Sequence, residues 1–150
     1  QIRAKGIKLM IVGEFYESDT PYLQLIEKLG LQDQVIMKTE FVPDEMVKYY
    51  LSAADFVIQP YRNATQSGVT PLAYHFEKPM LVTNVGALAD TVPHLKVGVV
   101  VEPNPYEIAN GIMLLYEKGN DYFKPYILQE KQKYTWSQMA QNFLTLYKSL

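Results

Sequence analysis

Cysteine is absent from the 150 residues of this sequence, and histidine occurs only twice, as His75 and His94. The absence of cysteine excludes disulfide bonds, thiolate zinc sites and cysteine nucleophiles. His75 stands between two aromatic residues in a predicted helix, and His94 follows a proline in a predicted loop. We interpret the first as a packed or partly exposed side chain and the second as a surface side chain. We therefore expect no metal site.

The sequence also has no strong net charge and no long apolar run. Its formal charge is -2, from 14 basic and 16 acidic residues spread along the chain, so we expect no nucleic-acid partner. No apolar run approaches the ~20 residues that cross a bilayer, and Gln1–Lys5 does not resemble a signal peptide. We expect a soluble, cytoplasmic protein. The sequence starts without methionine and almost directly on a predicted strand, so we interpret it as a segment of a longer protein.

Hydrophobic residues make up 48% of the chain and recur in the patterns of alternating strands and helices. Lys8–Gly13 is a short apolar run that ends at glycine, which is typical of a strand buried on both faces. Thr20–Leu29 has the spacing of an amphipathic helix, and Gly30 provides its C-cap. Asn104 is a predicted N-cap of a later helix that ends at Gly119. The same reasoning predicts strands at 34–38, 55–59, 80–83 and 97–101, helices at 43–53 and 68–76, a helical turn near 88, and helical segments at 122–134 and 135–150.

This order of elements predicts an α/β fold. Strands that are separated by helices cannot pair as hairpins, so they should form a parallel sheet with right-handed crossovers and helices on both faces. We expect a Rossmann-like, doubly wound parallel sheet with a helical C-terminal tail, formed by a single domain over residues 1–150.

The loops at the carboxyl ends of the strands are the candidate binding site, because ligands of open parallel sheets bind there, next to unpaired helix N–H groups. The loop Pro60–Gly68 is the most informative, since its small and polar residues lead directly into a helix. Ser67 and Gly68 would let the backbone approach a phosphate closely, and the helix dipole adds about half a positive charge. The alternative is that Ser67 only caps the helix and Gly68 only relieves steric crowding.

Other residues in these loops give weaker indications. Gly13 follows the first strand, but the remaining glycines of the dinucleotide-binding fingerprint are absent. Glu14 and Glu17 are a pair of acids that could serve as a general acid or could be ordinary solvated carboxylates. The residues alone therefore leave both interpretations of the Pro60–Gly68 loop open, a phosphate-binding edge and an ordinary helix start.

Several short segments carry a family pattern when they are taken in order. They are Ile11–Gly13, Leu29–Met37, Val42–Val47, Ala53–Pro60, Glu77–Leu88 and Gly98–Pro103, followed by Trp136–Ala140 before Tyr147. Together they resemble the C-terminal, nucleotide-sugar-binding lobe of the retaining glycosyltransferases called group 1 or family 4, which have the GT-B architecture. The likeness runs nearly from end to end of the chain.

The resemblance implies roles for two groups of residues. The segment Thr65–Gly68 matches a variant subgroup in which a T-Q-S-G turn replaces the usual acid-flanked glycine turn. This implies that the backbone of Gln66, Ser67, Gly68 and Val69 binds the donor phosphates. Family analogy also implies that Glu40, Phe41 and Val42 line the base pocket, while Gly13 and Glu14 face the donor.

The sequence departs from the family pattern at two places. The common pattern has a glutamate four residues after the proline of Pro60 and another eight residues later, but those positions hold Ala64 and Leu72. Ribose recognition is therefore left unassigned. The arginine and lysine that clamp the donor diphosphate would lie upstream of Gln1, because Arg3 and Lys5 directly precede the first strand. We interpret the chain as a lobe truncated at its N-terminal edge.

By this resemblance, the parent protein transfers a hexose-type sugar from a nucleoside diphosphate sugar to a glycan or lipid-linked acceptor, with retention and without a cofactor or metal. The N-terminal lobe would hold the acceptor and make any peripheral contact with the inner face of a membrane. We assign no catalytic residue to this chain and expect it to be inactive alone. Two alternatives remain open: a sugar-nucleotide epimerase of the same architecture, and a non-catalytic nucleotide-binding module.

Overall fold

The computed structural model describes residues 5–149. The chain divides into two compact units, Gln1–Lys48 and Tyr49–Leu150. Each unit has its own parallel sheet, with two strands in the first and three in the second.

In the first unit, two short apolar runs form a parallel pair of strands. Strand β1 (Leu9–Val12) pairs along its whole length with β2 (Val35–Lys38). Helix α1 (Thr20–Lys28) connects them, as a parallel connection requires. Helix α2 (Asp44–Ala53) follows β2 and runs across the division between the units.

The end of α1 is fixed by the predicted glycine. Gly30 has a φ of 61°. Its N–H donates to the carbonyl of Glu27 (2.9 Å), and the N–H of Leu31 donates to the carbonyl of Ile26 (2.9 Å). This pair of bonds is a Schellman motif, which satisfies carbonyls that a helix end leaves unpaired. The predicted C-cap is confirmed.

The second unit has a three-stranded parallel sheet in the order β3-β4-β5, again with helical connections. Its elements in chain order are β3 (Val57–Gln59), α3 (Val69–His75), β4 (Met80–Thr83), α4 (Leu88–Thr91), β5 (Gly98–Val101), α5 (Pro105–Glu130), a 3₁₀ turn (Lys131–Tyr134) and α6 (Trp136–Ser149).

The core of the second unit surrounds β4. All four residues of this strand are buried, as expected for a strand with a neighbour on each side. From α5, the side chains of Leu115, Phe123 and Ile127 are fully buried in the same apolar cluster. Burial of such a side chain contributes roughly 1.5–3 kcal/mol, so these three residues hold α5 in place.

The α/β fold class with parallel sheets and helices is confirmed. Two expectations are wrong: the strands form two parallel sheets rather than one, and β1 is half-buried, with Leu9 44% exposed, rather than buried on both faces.

Further differences lie in the C-terminal helices. Gly119 has a φ of 70° and a ψ of 168°, so α5 is kinked where the sequence predicted its end, and helix then continues to Glu130. The segment 122–134 is helical as predicted, and its last turn is a 3₁₀ helix. At the start of α5, Oδ1 of Asn104 accepts the N–H of Glu107 at 3.0 Å, which confirms the predicted N-cap.

Candidate functional site

In the first unit, the predicted site residues lie at the carboxyl ends of β1 and β2. Gly13 directly follows β1, and its N–H donates to the carbonyl of Lys38, the last residue of β2, at 3.0 Å. The φ of Gly13 is 131°, a conformation that side-chain-bearing residues rarely adopt. The glycine therefore lets the chain leave β1 while it still bonds to the neighbouring strand, and Glu14, the next residue, is exposed.

The segment predicted to line a base pocket follows β2 at the same edge. Glu40 and Phe41 are exposed, and Val42 is half-buried. The ring of Phe41 is 69% exposed, so it can accept a stacking partner without a conformational change. The structure thus brings Gly13 and Glu14 to the same sheet edge as Glu40–Val42.

In the second unit, the predicted phosphate-binding turn Gln66–Val69 leads from the loop after β3 into α3. Gln66 and Gly68 are exposed, and Ser67 and Val69 are half-buried. The Oγ of Ser67 accepts the N–H of Val69 at 3.2 Å, so that N–H is used within the turn. The N–H groups of Gln66, Ser67 and Gly68 donate to no protein acceptor within residues 5–149. Three successive backbone donors are thus open to a ligand at the start of α3.

Gly68 has no steric reason to be glycine. Its φ of -65° and ψ of -17° are ordinary helical values. A Cβ built on this residue would have nothing within 4 Å. The sequence left open that Ser67 only caps the helix and that Gly68 only relieves crowding. Ser67 does make a capping bond, but Gly68 relieves no crowding within the fold. The bare backbone at Gly68 leaves room for a group from outside the protein.

A buried pair of polar side chains, Gln59 and Thr70, connects the helix that follows this turn to β3. Gln59, the last residue of β3, is 2% exposed, and Thr70, in the first turn of α3, is 5% exposed. Oγ1 of Thr70 donates to Oε1 of Gln59 at 3.2 Å, and Nε2 of Gln59 faces Sδ of Met80 at 3.7 Å. A hydrogen bond that removes the cost of burying two polar groups ties the start of α3 to β3.

Two further contacts fix the loop between Gln59 and the turn. Oγ1 of Thr83, at the carboxyl end of β4, donates to the carbonyl of Tyr61 at 2.6 Å. The hydroxyl groups of Tyr61 and Ser67 lie 3.3 Å apart. The start of the loop is therefore hydrogen-bonded to the neighbouring strand β4, and the side chains of Tyr61 and Ser67 connect the start of the loop to its end.

The loop after β4, Asn84–Ala87, packs against the middle of the loop after β3. The N–H of Ala87 donates to the carbonyl of Thr65 at 3.0 Å. Gly86 has a φ of 52°, and a Cβ placed on it would lie 1.9 Å from the carbonyl oxygen of Ala64. These two loops line an open cavity of about 380 Å³, formed by Asn63, Ala64, Thr65, Val85 and Gly86.

The groups with clearly shifted pKa values lie away from this edge. Burial raises the pKa of the Tyr74 phenol well above its ordinary value, and the nearby Tyr134 and Glu130 raise it further. The hydrogen bond from Lys131 lowers the pKa of the Glu77 carboxyl. Tyr74 lies in the last turn of α3 and Glu77 lies between α3 and β4, so we interpret both as structural groups.

Two further classes of site are not found in the part of the chain that the structure describes. Within residues 5–149, no group of three or more histidine, cysteine, aspartate or glutamate residues is arranged to hold a metal ion. Over the same residues, no helix combines the length and the apolar character needed to span a bilayer.

Sequence reasoning missed the residues that support the turn. Gln59 and Thr70 are unremarkable in the sequence, and their pairing follows only from the burial of both. Gly86 carried a signal, because the family pattern has a glycine at that position in the segment Glu77–Leu88. The two positions without glutamate lie within three residues of the turn in the sequence. Ala64 lines the cavity, and Leu72 lies on α3 with 39% of its surface exposed.

Comparison with known proteins gives a family match over most of the chain. Residues 1–118 match the family described as glycosyl transferases group 1. The D-inositol 3-phosphate glycosyltransferase of Corynebacterium urealyticum is 29% identical over 130 residues, which are 85% of this chain and 30% of that protein. An uncharacterized glycosyltransferase of Methanocaldococcus jannaschii is 30% identical over 149 residues, which are 94% of this chain and 37% of that protein. The chain thus spans about a third of the length of these curated relatives.

Solved structures with the same fold are more distant in sequence. Anabaena HepE in complex with UDP superposes with a TM-score of 0.80 at 21% identity, over 99% of this chain and 44% of HepE. Sucrose-phosphate synthase from Thermosynechococcus elongatus superposes with a TM-score of 0.75 at 22% identity, over 95% of this chain and 39% of that protein. At these identities the likeness shows the fold alone.

Proposed function

We propose that this chain, which belongs to the group 1 glycosyl transferases, forms the nucleotide-sugar-binding part of a larger glycosyltransferase. The donor would be a nucleoside diphosphate sugar. This proposal is supported by HepE, a protein of the same fold that was solved with UDP and with UDP-glucose.

The observation that carries the proposal is the turn Gln66–Val69. Its three open N–H groups belong to successive residues, and the bare backbone of Gly68 leaves space for an anion beside them. Backbone donors in such a row form an anion-binding concavity, and hydrogen bonds to a charged acceptor are about twice as strong as neutral ones. We infer that the diphosphate of the donor binds here.

The proposed reaction assigns this turn a role in bond cleavage. The bond between the anomeric carbon of the sugar and the diphosphate oxygen breaks, and the diphosphate leaves with the electron pair. An acceptor hydroxyl oxygen forms the new glycosidic bond, its proton passes to the departing diphosphate, and the configuration is retained. Backbone N–H groups that are already in place stabilise the charge that develops on the leaving diphosphate. No metal or other cofactor has a role in this proposal.

The residues predicted from the first unit keep their predicted roles in the proposal. Phe41, with Glu40 and Val42, would contact the base, and the exposed ring supports this because a planar base can stack on it. Gly13 and Glu14 would face the donor. A hexose-type sugar would be transferred to a glycan or lipid-linked acceptor held by a part of the protein outside this chain. The same proposal puts the enzyme in the cytoplasm, with any membrane contact made outside this chain.

Turnover by the full-length protein that contains this chain tests the proposal. The protein is incubated with UDP-, GDP- and ADP-sugars that carry a labelled hexose, together with glycan and lipid-linked acceptors. The proposal predicts labelled acceptor with the anomeric configuration of the donor. Product with the opposite configuration would remove the retaining mechanism, and no binding of any nucleoside diphosphate would remove the proposal itself.

Ala64 and Leu72 favour one alternative, a non-catalytic nucleotide-binding module, because they replace the two family glutamates. That alternative predicts nucleotide binding without turnover of any donor. An epimerase of the same architecture would instead release an altered sugar nucleotide without an acceptor. Analysis of the labelled products, together with calorimetric titration of the same protein with UDP, GDP and ADP, therefore separates all three functions.

A further inference from the structure

We propose that Gly86 is a positioning residue for nucleotide binding: it seats the loop Asn84–Ala87 against the loop after β3 and so fixes the turn Gln66–Val69. This inference rests on the proposed function, since it concerns the same turn. It assigns a role to a residue that is not itself part of the turn.

The geometry leaves no room for any side chain at this position. A Cβ on Gly86 would lie 1.9 Å from the carbonyl oxygen of Ala64 and 3.0 Å from that of Thr65. Both are backbone atoms, so the clash cannot be relieved by a change of rotamer. The φ of 52° is a second requirement, because side-chain-bearing residues rarely adopt it.

The contact reaches the turn through very few bonds. The N–H of Ala87 donates to the carbonyl of Thr65, and Thr65 directly precedes Gln66, the first open donor of the turn. Thr83 and Gln59 hold the two ends of the loop after β3. Gly86 and Ala87 supply the contact at its middle, and without it the carbonyls of Ala64 and Thr65 have no support from the loop after β4.

The position of the contact argues against a purely structural role. Gly86 and Thr65 are exposed, and they line the open cavity rather than the apolar core. The core residues on either side of this loop, Val82 and Leu88, are buried without taking part in the contact. The neighbouring Ala64 and Val85 do pack partly against the core, so the test of this role must read nucleotide affinity in folded protein.

The size of the displacement gives the expected effect. Cβ atoms essentially never approach another heavy atom closer than 3.0 Å, so residue 86 and the carbonyl of Ala64 must move apart by at least about 1 Å in a Gly86→Ala variant. A displacement of that size in a group that positions a reactant can cost about a hundredfold in activity. We expect nucleotide affinity to fall by about ten- to a hundredfold.

The test compares three variants of the full-length protein. Gly86→Ala adds both the clash and the backbone strain, whereas Gly86→Asn keeps the clash but reduces the strain, because asparagine tolerates left-handed backbone. Gly119→Ala is the matched control, since Gly119 also has a positive φ but a Cβ there would have nothing within 4 Å. Binding of UDP, GDP and ADP is measured by calorimetry at a temperature where thermal melting shows each variant to be folded.

The inference predicts that both Gly86 variants lose affinity while Gly119→Ala binds as the wild type does. Wild-type affinity in folded Gly86→Ala, or in Gly86→Asn alone, would overturn it. A wild-type protein that binds none of the three nucleotides would instead overturn the proposed function. If neither Gly86 variant folds, hydrogen exchange of the wild type decides: nucleotide should slow exchange of the Ala87 N–H, and an unchanged rate overturns the inference.

Discussion

Replacement of Gly68 with alanine is expected to raise the stability of the fold and to weaken nucleotide binding. Gly68 has helical φ and ψ values, and the added methyl group would meet nothing within 4 Å. Alanine restricts the unfolded chain more than glycine does, so the native state gains stability at no steric cost. The same methyl group would occupy the space through which a phosphate reaches the three open N–H groups of the turn.

The magnitudes follow from these two effects. Glycine-to-alanine replacement at a compatible position stabilises by about 0.4–1 kcal/mol, which corresponds to a rise in melting temperature of about 1–4 °C for a chain of this size. Loss of one hydrogen bond to a charged group costs about 1.5–3 kcal/mol. We therefore expect nucleotide affinity to fall by at least about tenfold.

Thermal melting and calorimetric titration with UDP, GDP and ADP measure both effects on the same sample. Ser137→Ala on α6 is the control, because it also raises helix propensity at an exposed helical position but lies in no strand-end loop. It should raise the melting temperature and leave affinity unchanged. Unchanged affinity in Gly68→Ala would refute the argument that the bare backbone serves a ligand, and a large loss of stability would refute the steric argument.

Three further predictions concern the stability of the fold. The hydrogen bond from Lys131 lowers the pKa of the Glu77 carboxyl. The stabilisation from this bond is therefore complete above the ordinary pKa of glutamate and is lost as the pH falls through the lowered pKa. In urea titrations, the difference in unfolding free energy between wild type and Glu77→Gln should shrink over that pH range. Tyr74→Phe removes the 2.7 Å hydrogen bond to the carbonyl of Thr91 and should cost about 1–3 kcal/mol by the same method, whereas an unchanged value would show that water replaces the hydroxyl. Asn104→Ala removes the N-cap of α5 and should cost about 0.5–2 kcal/mol, and Asn104→Asp should keep most of that stability.

Local signals in the sequence predict much of the secondary structure. Gly30 ends α1 with a Schellman motif, and Asn104 caps α5, because each of these residue types solves a hydrogen-bonding problem that exists within a few residues of it. The positions of β1 and β4 follow from their short apolar runs in the same way. Such features depend on neighbours in the chain and can be read without coordinates.

Features that depend on distant partners could not be predicted in this way. The approach of Gly86 to Ala64 joins two loops that are separated by strand β4 and helix α3. Glu77 is a similar case: it has a φ of 56° where the family pattern has glycine, and its carboxylate accepts a 2.6 Å hydrogen bond from Lys131. The strained backbone at this position costs roughly 1–3 kcal/mol, which the ion pair partly offsets.

Topology predicts which loops form the candidate site, but it does not predict the bonds that support them. The carboxyl ends of the strands were identified from topology alone, and the structure leaves the N–H groups of Gln66, Ser67 and Gly68 open there. The buried bond between Gln59 and Thr70 was not predicted, because a polar residue at the end of a strand is ordinarily exposed. The roles of the turn residues in binding stay a prediction.

Amide chemical shifts report directly on whether the turn before α3 binds the phosphates of a nucleotide. A ¹⁵N–¹H correlation spectrum of the labelled protein is recorded during titration with UDP, GDP and ADP, with the matching nucleosides as controls. If the turn binds the phosphates, we expect large downfield proton shifts at Gln66, Ser67 and Gly68 with a nucleoside diphosphate and none with its nucleoside. Saturable binding that leaves these three amides unshifted would contradict this expectation.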